Sequence, residues 1–375
     1  MRISSAKVWN RLKMCKKDQI QTKIIRVDAD RPDDRLLESA AMALRKGRLV
    51  AFPTETVYGL GANALDPAAV AAIFQAKGRP GDNPLIVHVT SIEAVYALVD
   101  AMPPIAIQLF AAFSPGPLTL VLSRSALIPD LVTAGLDTVA IRLPAHPVAR
   151  RLIDLAGVPI AAPSANRSGR PSPTRAWHVA ADLEGRISYI IDGGDCPFGL
   201  ESTVVDVTGN IPVVLRPGSV TNQEILEVTG VLTVGRQEIA ESSLVTPRSP
   251  GMKYRHYAPR AKVLVAEGPD PVARAKFAGS MTANLHLLPS EIGYFGCRRF
   301  INLLPAQQKV AYGDEPEPEL AGRLLFDALR RLDRSGVKVI IAEGLPEHGV
   351  GIAYMNRLRK AAGAWLVKGE EDDDQ

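Results

Sequence analysis

Cysteine is scarce in this chain of 375 residues, and the three present, Cys15, Cys196 and Cys297, are scattered and odd in number. Neither a disulfide framework nor a CxxC zinc site fits that pattern. No set of Cys, His and Asp stands at metal-ligand spacing, so no protein-held metal is expected. No apolar run approaches the roughly 20 residues that span a bilayer, so no membrane role is expected and a reducing cytoplasm is the simplest home. Familiar catalytic signatures are missing too. There is no GxSxG elbow, no GxGxxG and no P-loop. An aromatic–basic stripe of the kind that reads RNA is also absent. The net charge of +4 is concentrated at one end: residues 1–19 hold six Lys/Arg and one acid, leaving 38 basic and 39 acidic residues in the rest.

The content that remains is that of an ordinary globular protein, and the length suits two domains. Residues 1–22 read as a basic flexible extension without a signal-peptide core, with a targeting signal or an RNA-binding arm as open alternatives. Residues 369–375 read as an acidic tail. Between 23 and 230, short apolar segments bounded by Gly, Pro or Asp predict strands at 49–52, 85–89, 118–122, 139–143, 160–162, 189–192, 203–207 and 213–215. Helical patterns fall among them at 34–46, 67–77, 105–113, 147–155 and 175–183. The expected fold is α/β, a twisted mixed sheet with helices rather than a pure βαβ repeat. Residues 231–260 have linker composition, yet they carry Lys253, Tyr254, Arg255, His256 and Tyr257 in a row. Residues 261–368 predict a smaller Rossmann-like α/β domain, with strands at 262–266 and 337–342 and helices at 271–277, 319–334 and 352–362. No catalytic constellation is expected in it.

Polar islands interrupt the apolar pattern of the first domain. One is Thr54-Glu55-Thr56 with Tyr58, at a strand end before a turn at Gly59 and Gly61. Another is Lys77-Gly78-Arg79, with Asn83 and His88 downstream. A third is Ser164-Ala165-Asn166, with Ser168 and Ser172 beyond. The fourth is Glu201-Ser202-Thr203, followed by Arg216. Thr138 precedes a strand that Arg142 nearly ends. Asp66, Pro67 and Gly78 punctuate the helix at 67–77, and Lys77 shares the face of Val70, Ile73 and Phe74. Lys77 and Arg79 are both expected to reach into a cleft. Taken singly, each island reads as a cap, a turn or a solvated strand end. Taken together, Arg, Lys, Ser and Asn are the set that holds phosphate and carboxylate groups.

The islands sit within longer motifs: FPTETVYGLG (52–61), KGRPGDNPLIVH (77–88), SPGPLT (114–119), VAIRLPAHP (139–147), APSANRSGRPSPT (162–174), ESTVVD (201–206), LRPG (215–218) and SPGMKYRHYAP (249–259). In this order they resemble the YrdC/YwlC family, the threonylcarbamoyl-AMP synthases of tRNA modification, in its longer two-domain branch. The Lys-x-Arg and Ser-x-Asn signature stands here as Lys77, Arg79, Ser164 and Asn166. The resemblance implies a nucleotidyltransferase that makes threonylcarbamoyl-AMP and pyrophosphate from L-threonine, bicarbonate or CO2, and ATP. Its product would go to a separate transferase complex acting on adenosine 37 of tRNAs that read ANN codons. It implies ATP contacts from Arg79, Asn83, Thr138, Ser164, Ser172, Arg216 and Tyr257. Threonine contacts are implied from Thr56, His88, Arg142, the backbone at Ala162, and Ser202. Mg²⁺ is expected on the ATP phosphates, and Tyr254, His256 and Tyr257 as a lid. Weak binding of tRNA or other double-stranded RNA is a further expectation. Two readings compete: an RNA-binding module without turnover, and a carbamoyl-transfer enzyme of the same fold, for which CxxC pairs are missing.

Overall fold

The computed structural model describes residues 20–235, 257–305 and 307–363. Elements run β1 (Lys23–Arg26), α1 (Asp34–Arg45), β2 (Val50–Phe52), β3 (Gly59–Asn63), α2 (Pro67–Lys77), β4 (Ile86–His88), α3 (Ile92–Tyr96) and α4 (Pro104–Phe113). Then come β5 (Leu118–Ser123), α5 (Asp130–Thr133), β6 (Thr138–Arg142), α6 (Pro147–Ala156), β7 (Ile160–Ala161), α7 (Ala176–Leu183) and β8 (Tyr189–Asp192). β9 (Thr203–Asp206), β10 (Val213–Arg216), α8 (Asn222–Thr229) and β11 (Val234–Gly235) complete the first unit. The second holds β12 (Lys262–Ala266), α9 (Pro271–Ala283), β13 (Ile292–Gly296), α10 (Arg298–Ile301), β14 (Gln308–Ala311), α11 (Pro318–Arg334), β15 (Val339–Glu343) and α12 (Val350–Ala362).

β1 to β11 form one mixed sheet in the order β1-β8-β2-β3-β7-β4-β6-β5-β9-β10-β11. β3 and β7 are antiparallel, as are β7 and β4, and β5 and β6, whereas β4 and β6 are parallel. These alternating directions bring a particular set of strand ends to one edge. The starts of β5 and β9 meet the ends of β4, β6 and β10 there, while the end of β7 and the start of β3 lie beside Ile86, at the other end of the three-residue strand β4. Register makes this concrete: His88 lies opposite Arg142, Arg142 opposite Thr119, and Leu118 opposite Thr203. A bridge pairs Gly59 with Ser164. Apolar side chains of β2 to β7 and of α2 to α5 form the main core on one face, and α1 and α6 close the other. The four strands of the second unit, in the order β12-β15-β13-β14, are all parallel, and α9, α11 and α12 bury their apolar faces against them.

Both expected sheet types are present, and α2 and β12 coincide with their expected limits. The turn expected at Gly59 and Gly61 is instead strand β3. A Cβ on Gly61 would sit 2.7 Å from the Phe52 ring and 2.9 Å from Ile160, so glycine serves close strand packing there and not a turn. The strands β1, β13 and β14 and the helix α8 had no counterpart in the sequence reading. The mostly exposed β1 and the half-buried β14 are short and lack clean alternation, and β13 (IGYFG) has glycines at its second and last positions. The helix expected over 271–277 runs on to Ala283.

Candidate active site

These strand ends open into a cavity of about 650 Å³, counting the open space at its mouth. Of the residues expected to act, Thr56, Arg79, His88, Arg142, Ala162, Ser164, Asn166, Ser172, Ser202, Arg216 and Tyr257 all line it.

One pole is built on Arg142, at the end of β6. Its guanidinium makes an ion pair with Glu55 at 2.6 Å, and its Nη1 donates to Thr56 Oγ1 at 2.9 Å. The loop between β2 and β3 presents those partners because Thr54 ties it into a turn. Thr54 Oγ1 accepts from the backbone of Thr56 and Val57 and donates to the Val57 carbonyl. Burial opposes ionisation of Glu55, but Arg142 holds its carboxyl below the usual range. His88 lies beside this pair. Burial, then the Arg142 charge, push its imidazole down to about 3, so it is neutral at physiological pH.

The middle of the cavity is the signature region. α2 ends on Gly78 in a left-handed conformation (φ 62°), and the Arg79 N–H returns to the Phe74 carbonyl at 3.0 Å. This helix stop turns Arg79 back across the Phe74 ring, 5.8 Å away, and into the cavity. Its Nη2 donates to the Asn83 carbonyl at 3.0 Å, so buried Asn83 supports Arg79 from below the lining. Lys77 behaves differently from expectation. Its Nζ does not reach the cleft but donates to the carbonyls of Ser164 (2.5 Å) and Asn166 (2.7 Å). Burial, and then Arg79, lower its affinity for the proton well below that of a free lysine. It therefore fastens the Ser-x-Asn loop, in which Ser164 Oγ donates to Asn166 Oδ1 at 2.6 Å, to the end of α2.

The far pole gathers Ser172, Glu201, Ser202, Arg216 and Tyr257. Ser172 Oγ donates to Glu201 Oε1 at 2.5 Å, and Arg216 Nη2 donates to Ser202 Oγ at 3.0 Å. A break in the β9–β10 register between Val214 and Arg216 turns Arg216 into the site. Tyr257 is in the left-handed region (φ 66°) and lies against the Phe326 ring of the second unit, centroids 5.1 Å apart. Burial, and then Glu201, raise its hydroxyl to about 12. Thr138 is not brought to the cavity: it starts β6, opposite Ser123, at the strand end away from Arg142. Tyr254 and His256 lie outside the described residues.

One buried contributor was missed. Arg357 of α12, in the unit where no catalytic constellation was expected, is fully buried and reaches Glu201 at 3.0 Å. A signal existed in the sequence, because Arg357 falls among Ala353, Tyr354, Leu358 and Ala361 on the apolar face of its helix.

Residues 42–218 match the family model described as "Telomere recombination" (Sua5_yciO_yrdC), and residues 220–363 match "Threonylcarbamoyl-AMP synthase, C-terminal domain". A threonylcarbamoyl-AMP synthase of Pyrococcus abyssi is 50% identical over 339 residues, which cover 90% of this chain and 97% of that one. The chain belongs to the threonylcarbamoyl-AMP synthase family. A Bacillus subtilis member is 45% identical, over 90% of this chain and 95% of its own. The fold matches the crystal structure of P. abyssi Sua5 complexed with L-threonine at a TM-score of 0.85 and 49% identity, covering 92% of this chain and 99% of that one. No helix among the described residues is long and apolar enough to cross a membrane.

Proposed function

We propose that this cavity makes threonylcarbamoyl-AMP and pyrophosphate from L-threonine, CO2 or bicarbonate, and ATP. The observation that carries this reading is the pairing, in one buried chamber, of an arginine–carboxylate–hydroxyl pole with a pole of arginines, serines and an asparagine. Arg142 presents a planar fork for the amino-acid carboxylate, steered by Glu55 and Thr56. Neutral His88 offers a ring nitrogen that orients threonine without adding charge. Arg79, Ser164, Ser172 and Arg216 take the triphosphate and nucleoside.

The threonine amine adds to CO2 and loses a proton, giving a carbamate. A carbamate oxygen then attacks the α-phosphorus and pyrophosphate departs. The residues act by alignment and by stabilising charge as it moves to the leaving group. Mg²⁺ enters as part of the nucleotide substrate. The lining offers one carboxylate, Glu201, already bonded to Ser172 and Arg357, and no group of three His, Cys, Asp or Glu side chains suits a metal among the described residues. The ion therefore rides on the phosphates. The buried chamber would shield the labile adenylate from water until it reaches a transferase that modifies adenosine 37 of tRNA.

The test is pyrophosphate release with each substrate omitted in turn. Release should require threonine, bicarbonate and ATP together. Arg79→Ala should lower kcat/KM for ATP by about 100-fold or more, the usual scale for a lost charge-stabilising donor. Arg142→Ala should fall mainly on threonine. Tight ATP or tRNA binding by folded protein, without threonine-dependent release, would overturn the reading.

A further inference from the structure

Arg357 is fully buried, belongs to the second unit, and touches two segments of the first. Its Nε donates to Glu201 Oε2 at 3.0 Å and its Nη1 to the Pro217 carbonyl at 2.5 Å. Glu201 precedes Ser202, and Pro217 follows Arg216. The same guanidinium thus spans the chain beside both residues. The other oxygen of Glu201 accepts the Ser172 hydroxyl, which brings a third segment into the network. Close packing reinforces the clamp, because a Cβ on Gly218 would stand 2.3 Å from the Thr203 nitrogen.

We infer that Arg357 is a positioning residue of the second domain: through Glu201 and Pro217 it sets Ser172 and Arg216 in place for the nucleotide. Arg357 does not line the cavity, so it acts through those residues and not on substrate. The electrostatics agree with the geometry. Burial raises the cost of a charged Glu201, yet Arg357 and then Arg216 hold its carboxyl below the ordinary range. An ionised Glu201 is an acceptor only, so the Ser172 proton must point toward it and the serine lone pairs toward the cavity. Arg216 is held between opposing influences, with burial and then Arg357 lowering it to about 10 while Glu201 raises it. Removing Arg357 leaves a carboxylate buried without its main counter-charge, and Glu201 would take up a proton and release Ser172.

The inference rests on the synthase reading for the identity of the ligand, and ATP is the probe. Titration calorimetry on the full chain should show Arg357→Met raising the ATP Kd by about tenfold, the range for a coupled buried neighbour. The threonine Kd should be unchanged. Arg357→Lys should recover only part of the loss, because an ammonium cannot span Glu201 and Pro217 together. In a Glu201→Gln background, Arg357→Met should have little further effect on ATP. The acid limb of ATP affinity should move to higher pH in Arg357→Met and vanish in the double variant. If Arg357→Met fails to fold, the lysine variant carries the same comparison. Equal loss for ATP and threonine, a fall in melting temperature with ATP affinity intact, or full additivity with Glu201→Gln would overturn the inference. Absence of threonine-dependent pyrophosphate release from the wild type would overturn the synthase reading separately, since the Arg357 result is read from binding.

Discussion

His88 illustrates how position changes a side chain's chemistry. Its type suggests a titrating group, but it ends a buried strand against Phe52 and beside Arg142. A free imidazole titrates near 6.5, and here it is pushed to about 3. Between those values the unfolded chain binds a proton that the folded chain refuses. His88 therefore favours the folded state fully above about pH 6.5 and progressively less as pH falls toward 3, by about 1.4 kcal/mol per unit. The imidazole resonances of His88 should stay flat from pH 5 to 8, and the loss of urea stability on moving from pH 7 to 5 should be smaller in His88→Gln. An NMR midpoint near 6.5 would contradict the burial argument. Other residues were half legible. The helical spacing placed Lys77 on the buried side of its helix. It could not show that backbone carbonyls 87 and 89 residues away would take up the ammonium, because those carbonyls arrive through a β-bridge.

At the level of elements, α2 is the most legible. Asp66 caps its start, Pro67 fits the first turn, and Gly78 stops it in the left-handed region, all visible as local punctuation. β3 was illegible because GLGAN carries two glycines and little β-propensity. What makes it a strand is the space beside it: Phe52 and Ile160 leave room for a backbone without a side chain. Gly61→Ala should cost about 1–3 kcal/mol by overpacking, seen as a lower urea midpoint, because the Cβ would press on both neighbours. A wild-type midpoint would mean that Phe52 can swing aside freely.

At the level of the whole molecule, the interface between the two units is polar and buried in several places. Arg330 reaches Asp182 at 2.7 Å, His178 meets Asp327 at 3.2 Å, and Arg357 meets Glu201. Leu200 and Val57 of the first unit belong to the apolar core of the second. Gly199, at φ 72°, lets the two backbones touch: a Cβ there would lie 2.2 Å from the Arg323 carbonyl oxygen. Gly199→Ala combines left-handed strain with a backbone clash and should weaken docking by about 2 kcal/mol or more. Expected results are a larger radius of gyration in X-ray scattering and separate melting steps for the two units. An unchanged scattering profile and a single wild-type transition would show that the contact is dispensable.

The sequence by itself determined the local features: helix caps, the apolar strands, the two-domain order, and the motifs that placed the chain in its family. These depend on neighbours within a few residues, or on strings of residues that can be read in order. Only the tertiary structure decided which of those motif residues meet. Alternating strand directions bring the ends of β4, β6 and β10 and the starts of β5 and β9 to one edge, where the loop after β2 brings Glu55 and Thr56 to Arg142, and they leave Thr138 at the other end of its strand. It also decided that an arginine 156 residues beyond Glu201 braces that lining residue from behind the cavity wall. Nothing local in either segment encodes that pairing; it exists because burial leaves each charge no other partner worth as much.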